Sequence, residues 1–163
     1  MAEKHLHEAF VEELRDALSA EKQITKALKQ MARKAAHEDL RDAFEEHLVQ
    51  TEHQIERLEK AFEMLDLKPR AKRCEGMSGI IEEGKEILQE EATPDAKDAM
   101  MIAAAQKIEH YEIATYGTLC TWAEILERDD IRQLLQETLD EEKQTDEKLT
   151  SLASSINREA VAA

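Results

Sequence analysis

The chain has 163 residues and a net charge of −15, with only four glycines, two prolines and 4% aromatic residues. This length fits one domain, and the predominance of Ala, Leu, Glu, Lys and Gln favours helices and argues against sheets. The acidic charge argues against a direct role in binding nucleic acid or anionic membranes, since both require a basic protein surface.

The first two long helices are predicted from apolar residues at helical spacing. The first starts near residue 3, carries Leu6 and Phe10 on its apolar stripe, and ends near His37. The second follows with Asp39 as the expected N-cap and ends near residue 66. Since a short break separates them, these helices form an antiparallel hairpin over about 3–66.

A long connection over about 67–93 follows this hairpin. Pro69 and neighbouring basic residues mark its irregular part, and a short helix is predicted from Ser78 to Glu91. Thr93 and Pro94 then give a strong start signal for the third long helix. A break at Arg128 opens the fourth, so the second hairpin covers about 94–156.

The two hairpins are related by an internal repeat. A shift of 91 residues lays Asp39 on Asp130 and Glu21 on Glu112 without a gap. Two hairpins joined by a long crossover are the ferritin-like arrangement. The sequence therefore predicts an all-α, ferritin-like four-helix bundle as a single domain over 1–163.

Polar residues interrupt the apolar stripe of every long helix, and these residues are the candidate functional groups. They are Glu21 in the first helix, His47, Thr51 and Gln54 in the second, Glu109 and Glu112 in the third, and Thr138, Glu142 and Thr145 in the fourth. Counted from the two turns, most of them fall at one level of the bundle. His47 is an exception: it lies seven residues from Gln54, or about 10 Å along the axis.

Four buried carboxylates in one layer would repel one another strongly unless they bind cations or protons. Hard oxygen ligands suit iron and manganese. We therefore predict a divalent metal site, with one ion or a pair, and these candidate residues: Glu21, Glu109, Glu112 and Glu142, with Gln54 as a neutral supporter and His47 as a further candidate. The alternative is a buried polar network in which some acids are protonated and others face Arg57 and Lys148.

The remaining chemistry-bearing residues have simpler interpretations. Cys74 and Cys120 read as reduced thiols, because two cysteines at this spacing give neither a disulfide framework nor a metal motif. Tyr111 and Tyr116 are interpreted as packing residues. Gly117 in mid-helix costs about 1 kcal/mol relative to Ala, which a close helix crossing, such as a dimer contact, would explain.

Several segments resemble the YciE/YciF-like bacterial stress proteins. Four of them are residues 19–23 (SAEKQ), 106–113 (QKIEHYEI), 114–118 (ATYGT) and 137–143 (ETLDEEK). The fifth lies in the second helix and consists of 47–48 (HL), Thr51 and 54–57 (QIER). The similarity covers nearly the whole chain. It implies a ferritin-like bundle, homodimers and an association with stress responses.

Against the wider ferritin-like di-iron pattern, Glu21 and Glu112 match the single glutamates of two helices. The Glu-x-x-His motifs of the other two helices are altered, because Glu142 is followed by Thr145 and the second helix offers Thr51-x-x-Gln54. Glu109 is an additional acid. One metal, an altered pair or a vestigial site all remain open on this pattern.

We therefore expect a metal-binding stress-response protein in which iron or manganese reacts with oxygen or peroxide. The alternative is a non-catalytic helical dimer or interaction module with a vestigial site. We expect a homodimer, for which the apolar side of the short helix is a candidate surface, and neither nucleic acid nor membrane as a partner. The sequence begins with an amphipathic helix and shows no signal peptide, so the expected location is the cytoplasm.

Overall fold

The computed structural model describes residues 4–161, which form five helices. The helices are α1 (Leu6–Lys34), α2 (Glu38–Met64), α3 (Glu75–Gln89), α4 (Pro94–Ile125) and α5 (Asp129–Glu159). The four long helices α1, α2, α4 and α5 are those that the apolar periodicity predicts, and α3 lies in the crossover. None of the helices within 4–161 has the length and hydropathy needed to cross a bilayer.

N-cap residues mark the starts of α2 and α4, and the N-cap of α2 differs from the predicted one. The Thr93 hydroxyl accepts a hydrogen bond from an N–H in the first turn of α4, and Pro94 is the first helical residue, as predicted. For α2, however, the N-cap is His37, and Asp39 lies in the first turn. The carboxylate of Asp39 there stabilises the positive end of the helix dipole without capping it.

The two hairpins point in opposite directions. At the start of α4, the Asp98 carboxylate accepts hydrogen bonds from the N–H groups of Ala36 (3.0 Å) and His37 (2.7 Å) at the α1–α2 turn. At the other end, the Arg128 guanidinium donates to the carbonyl of Met64 at the end of α2 (2.9 Å). The two turns thus lie at opposite ends of the bundle, which is the ferritin-like arrangement.

The third helix covers one side of the bundle. It begins at Glu75, three residues before the predicted start, because Cys74 caps it by accepting a hydrogen bond from the Met77 N–H (3.3 Å). Its apolar side chains pack inward on the core between α1 and α4. Since the long helices neighbour one another in the ring α1–α2–α5–α4, α3 lies opposite the groove between α2 and α5.

The core consists of two apolar clusters with a polar layer between them. One cluster, towards the α1–α2 turn, includes Ile24, Phe44 and Ile108. The other, towards the α4–α5 turn, includes Leu14 and Leu58. The predicted stripe interruptions lie between these clusters on every long helix, and each cluster shields one side of that layer from solvent.

Candidate metal centre

The polar layer is built from long side chains on all four long helices. Glu21 extends from α1, His47 from α2, Glu109 and Glu112 from α4, and Glu142 from α5. None of the five is more than 2% exposed. An ionised carboxylate removed from water in this way requires a counter-charge or a proton, so the layer is chemically unlike the core around it.

Four of these residues converge on one point. Ligand atoms of His47, Glu109, Glu112 and Glu142 all lie within 4.8 Å of one another. His47 Nε2 lies 3.2 Å from Glu109 Oε1 and 3.7 Å from Glu142 Oε2. This arrangement has the dimensions of a cation site with one nitrogen and several oxygen donors.

The predicted separation of His47 from the layer is wrong. The first hairpin places His47 nearer the α1–α2 turn than Gln54, and α4 begins at that same turn. Glu109, one helical turn before Glu112, therefore lies displaced in the same direction as His47. Counting residues from each turn gives the level of each Cα atom along the bundle. The long side chains of the layer together span more than one helical turn along the axis, so residues at different levels can meet.

The imidazole of His47 is oriented by polar groups on its outer edge. Its Nδ1 lies 3.2 Å from Gln50 Oε1 and 3.3 Å from the Thr145 hydroxyl, which itself donates to Gln50 Oε1. An amide oxygen only accepts, so Nδ1 carries a proton in this network. The other ring nitrogen, Nε2, points at carboxylate oxygens, and a cation between them would stabilise this arrangement.

Several buried polar atoms of the layer have no hydrogen-bond partner among the described residues. They are Glu21 Oε2, His47 Nε2, Gln54 Oε1, Glu109 Oε2, both carboxylate oxygens of Glu112, and Glu142 Oε2. Buried polar atoms are normally paired, and each one left unpaired costs about 1–3 kcal/mol. The donor set therefore fits a metal ion, which would satisfy several of these atoms at once.

The pKa values of the four acids are raised. Burial, followed by the charge of Glu142, raises the pKa of Glu21 to about 8. Burial, with the nearby charge of Glu21, raises the pKa of Glu109 to about 7. Burial and the charges of neighbouring acids hold the pKa of Glu112 and of Glu142 well above the usual range. Without a cation, the layer retains protons near neutral pH.

Tyr116 contacts the polar layer, although the sequence analysis interpreted it as a packing residue. Its hydroxyl donates a hydrogen bond to Glu21 Oε1, and the residue is 1% exposed. Burial and the charge of Glu21 hold the pKa of this phenol well above its usual range. The available signal was its spacing, since Tyr116 follows Glu112 by one helical turn and faces the same side.

Gln54 connects the layer to an outer ion pair. Its amide nitrogen donates to Glu142 Oε1 (2.7 Å) and to Glu141 Oε2 (2.9 Å). Glu141 is in turn held by two hydrogen bonds from the Arg57 guanidinium, at 2.7 and 2.8 Å. Gln54 thus orients Glu142, and Arg57 acts through Glu141.

The two basic residues that the alternative places opposite the core acids form ion pairs with acids outside the core. Arg57 pairs with Glu137 and Glu141, and Lys148 pairs with the exposed Glu46. Among residues 4–161, no arginine or lysine forms an ion pair with the four core acids, and the basic side chain next to them is His47. Arg57 and Lys148 are therefore not the groups that face the core acids, whereas the protonated acids of the alternative polar network agree with the raised pKa values.

The other sequence candidates lie outside the site. The Thr51 hydroxyl donates to the carbonyl of His47 in its own helix (2.8 Å), and Thr138 accepts from Arg57 (3.3 Å). Cys74 and Cys120 are free and buried. Outside the neighbouring turns of its own helix, no described atom lies within 4 Å of the position that a Cβ on Gly117 would take, so the expected close crossing is not found within residues 4–161.

Comparison with known proteins agrees with this architecture. The family described as "Domain of unknown function (DUF892)" matches residues 5–162. Protein YciF from Escherichia coli (strain K12) is 46% identical over 159 residues, which cover 96% of this chain and 96% of YciF. The resemblance predicted from the sequence segments is thereby confirmed.

Solved structures show the same fold. The crystal structure of the E. coli stress protein YciF matches with a TM-score of 0.92, covering 96% of this chain and 99% of that chain at 46% identity. YcfI from Rhodopseudomonas palustris matches with a TM-score of 0.89 at 43% identity, over 90% of this chain and 94% of that one. A Xanthomonas campestris protein at 19% identity, with a TM-score of 0.80 over 97% of each chain, shares the fold.

Proposed function

Since the chain belongs to the DUF892 family of YciF-like stress proteins, we propose that it is a stress-response protein that binds a divalent metal in its polar layer. The observation that carries the proposal is the meeting of His47 Nε2 with three carboxylates inside 4.8 Å. These groups have no arginine or lysine partner among the described residues. A divalent cation supplies the missing charge.

The donor set favours iron or manganese. It offers one imidazole nitrogen and carboxylate oxygens without a thiolate, and such hard oxygen-rich sets suit Mn²⁺ and Fe²⁺. His47, Glu109, Glu112 and Glu142 would hold one ion. Glu21 adds a fourth carboxylate, and two divalent ions would balance four negative charges, so charge favours a pair.

The protein's own residues would orient and isolate the metal. Gln50 and Thr145 hold the His47 ring, and the two apolar clusters above and below the layer exclude bulk water. Gln54 holds Glu142. A bound Fe²⁺ or Mn²⁺ supplies redox chemistry with oxygen or peroxide, and we propose this reactivity as the link to stress.

Elemental analysis tests the proposal. We expect protein purified without chelators, then loaded anaerobically with Fe²⁺ or Mn²⁺, to retain one or two equivalents per chain. The Glu112→Ala variant should retain none, while the control Glu147→Ala, an exposed acid on α5, should match the wild type. Stoichiometric metal in Glu112→Ala, or none in the wild type, would contradict the proposal.

Absence of metal in the wild type would support the alternative function, a non-catalytic helical dimer or interaction module. In that case a chelator leaves the melting temperature unchanged, because a ligand specific for the native state raises apparent stability only when it binds. We also propose a homodimer, to be tested by sedimentation. The apolar side of α3 packs inward, so it is a weaker candidate for the interface than the sequence suggested.

A further inference from the structure

A depression of about 150 Å³ lies in the groove between α2 and α5, on the side of the bundle opposite α3. Its exposed rim is formed by Glu46, Gln144 and Lys148. Its floor is formed by Gln50 and Thr145, which are half-buried, and by His47. We call it the α2–α5 depression.

His47 separates this depression from the candidate centre. The Nδ1 edge of the ring contacts Gln50 and Thr145 on the floor. The Nε2 edge faces the core carboxylates and has no hydrogen-bond partner among the described residues. The barrier between the surface and the centre is therefore one imidazole ring thick at this point.

Another depression on the described surface does not border the candidate metal centre. The one lined by Ser19, Gln23 and Arg73, on the α3 side, contains none of the candidate ligands. The α2–α5 depression, in contrast, is open to solvent and has a candidate ligand in its floor. That ligand is His47, which is only 2% exposed.

The depression offers oxygen atoms to a cation. Glu46 supplies a carboxylate and Gln144 an amide oxygen, and the Gln50 amide oxygen and the Thr145 hydroxyl become available to an ion when the His47 ring turns away from them. Such neutral and anionic oxygens bind hard divalent ions, and the net charge of −15 raises the local concentration of cations around the protein. The competing cation is Lys148, which pairs with Glu46 across the rim.

We propose that the α2–α5 depression is the site where a divalent cation first binds, with Glu46 as its carboxylate ligand, before it moves past His47 into the polar layer. The inference rests on the proposed metal centre. Lys148 must leave Glu46 for the ion to bind, which its exposed and flexible side chain permits. His47 must turn or shift while the ion passes.

The rate of Mn²⁺ uptake tests this inference, because the electron paramagnetic resonance signal of free Mn²⁺ falls when the ion binds. We expect Glu46→Gln to slow uptake about tenfold with an unchanged final stoichiometry. Lys148→Gln should accelerate it, because the competing charge is gone. Gln144→Trp should slow uptake by covering the depression, also with unchanged stoichiometry.

Gln133→Trp is the matched control, since Gln133 is an exposed residue on α5, three helical turns from Gln144 on the same side. It should take up Mn²⁺ at the wild-type rate. Wild-type rates in Glu46→Gln and Gln144→Trp, with normal stoichiometry, would overturn the inference and leave the metal centre standing. Failure of the wild type to bind Mn²⁺ at all would overturn both.

Discussion

The acids of the polar layer should make the metal-free protein lose stability as the pH rises. Glu109 is the best single probe, because burial, with the charge of Glu21, raises its pKa to about 7 from an ordinary value of 4.5. A carboxyl that holds its proton more tightly in the folded state stabilises that state below its unfolded pKa. This stabilisation is lost as the pH rises through the folded pKa.

The magnitude follows from the two pKa values. One pKa unit corresponds to about 1.4 kcal/mol, so the change from 4.5 to about 7 at Glu109 removes about 3 kcal/mol from the free energy of unfolding by pH 8. Glutamine has the shape of the protonated acid and never ionises. The Glu109→Gln variant should therefore be more stable than the metal-free wild type by about 3 kcal/mol at pH 8, and by less than about 1 kcal/mol at pH 5.

Urea unfolding in the presence of a chelator, at pH values from 5 to 8, measures this difference. The control is Glu147→Gln, an exposed acid on α5, which should follow the wild type at every pH. A Glu109→Gln protein that gains no stability over the wild type between pH 5 and pH 8 would refute the reasoning. With saturating Mn²⁺ the wild type should become more stable than Glu109→Gln. The variant lacks one metal ligand, so Mn²⁺ binds it more weakly and stabilises its folded state less.

Three further predictions concern the scaffold and use urea unfolding of the metal-free protein. Asp98→Ala should cost about 2 kcal/mol, because the two N–H groups at the α1–α2 turn lose a charged acceptor; an unchanged midpoint would contradict this role. Gly76→Ala should cost about 2 kcal/mol, since the added Cβ would lie 2.8 Å from the Tyr111 ring, and a neutral effect would mean that the ring moves freely. Gly117→Ala should instead stabilise by about 1 kcal/mol, because its Cβ would meet no described atom within 4 Å outside the neighbouring turns of its own helix; destabilisation would indicate a contact with a partner.

The fold was predictable because the sequence is locally consistent. Apolar residues recur at helical spacing through each long helix, and Thr93-Pro94 marks one boundary directly. The long crossover and the internal repeat then leave few topologies for four amphipathic helices. Cys74 as a cap was not predictable, since cysteine is not a preferred N-cap residue and its position depends on tertiary contacts.

The candidate site was predictable only in part. The four glutamates interrupt apolar stripes, so periodicity identifies them. The place of His47 depends on how α2 and α4 are aligned, which a count along each hairpin does not determine. Gln50 lies off the apolar stripe and matters only through its contact with His47 Nδ1. Side chains that act through another residue give no periodic signal.

The most direct test of the metal centre is a crystal structure of the protein loaded with Mn²⁺, with anomalous scattering used to locate the ion. We expect an anomalous peak within bonding distance of His47 Nε2 and of carboxylate oxygens from Glu109, Glu112 and Glu142. No peak in the polar layer at saturating Mn²⁺, or a peak bound only by surface acids, would contradict it.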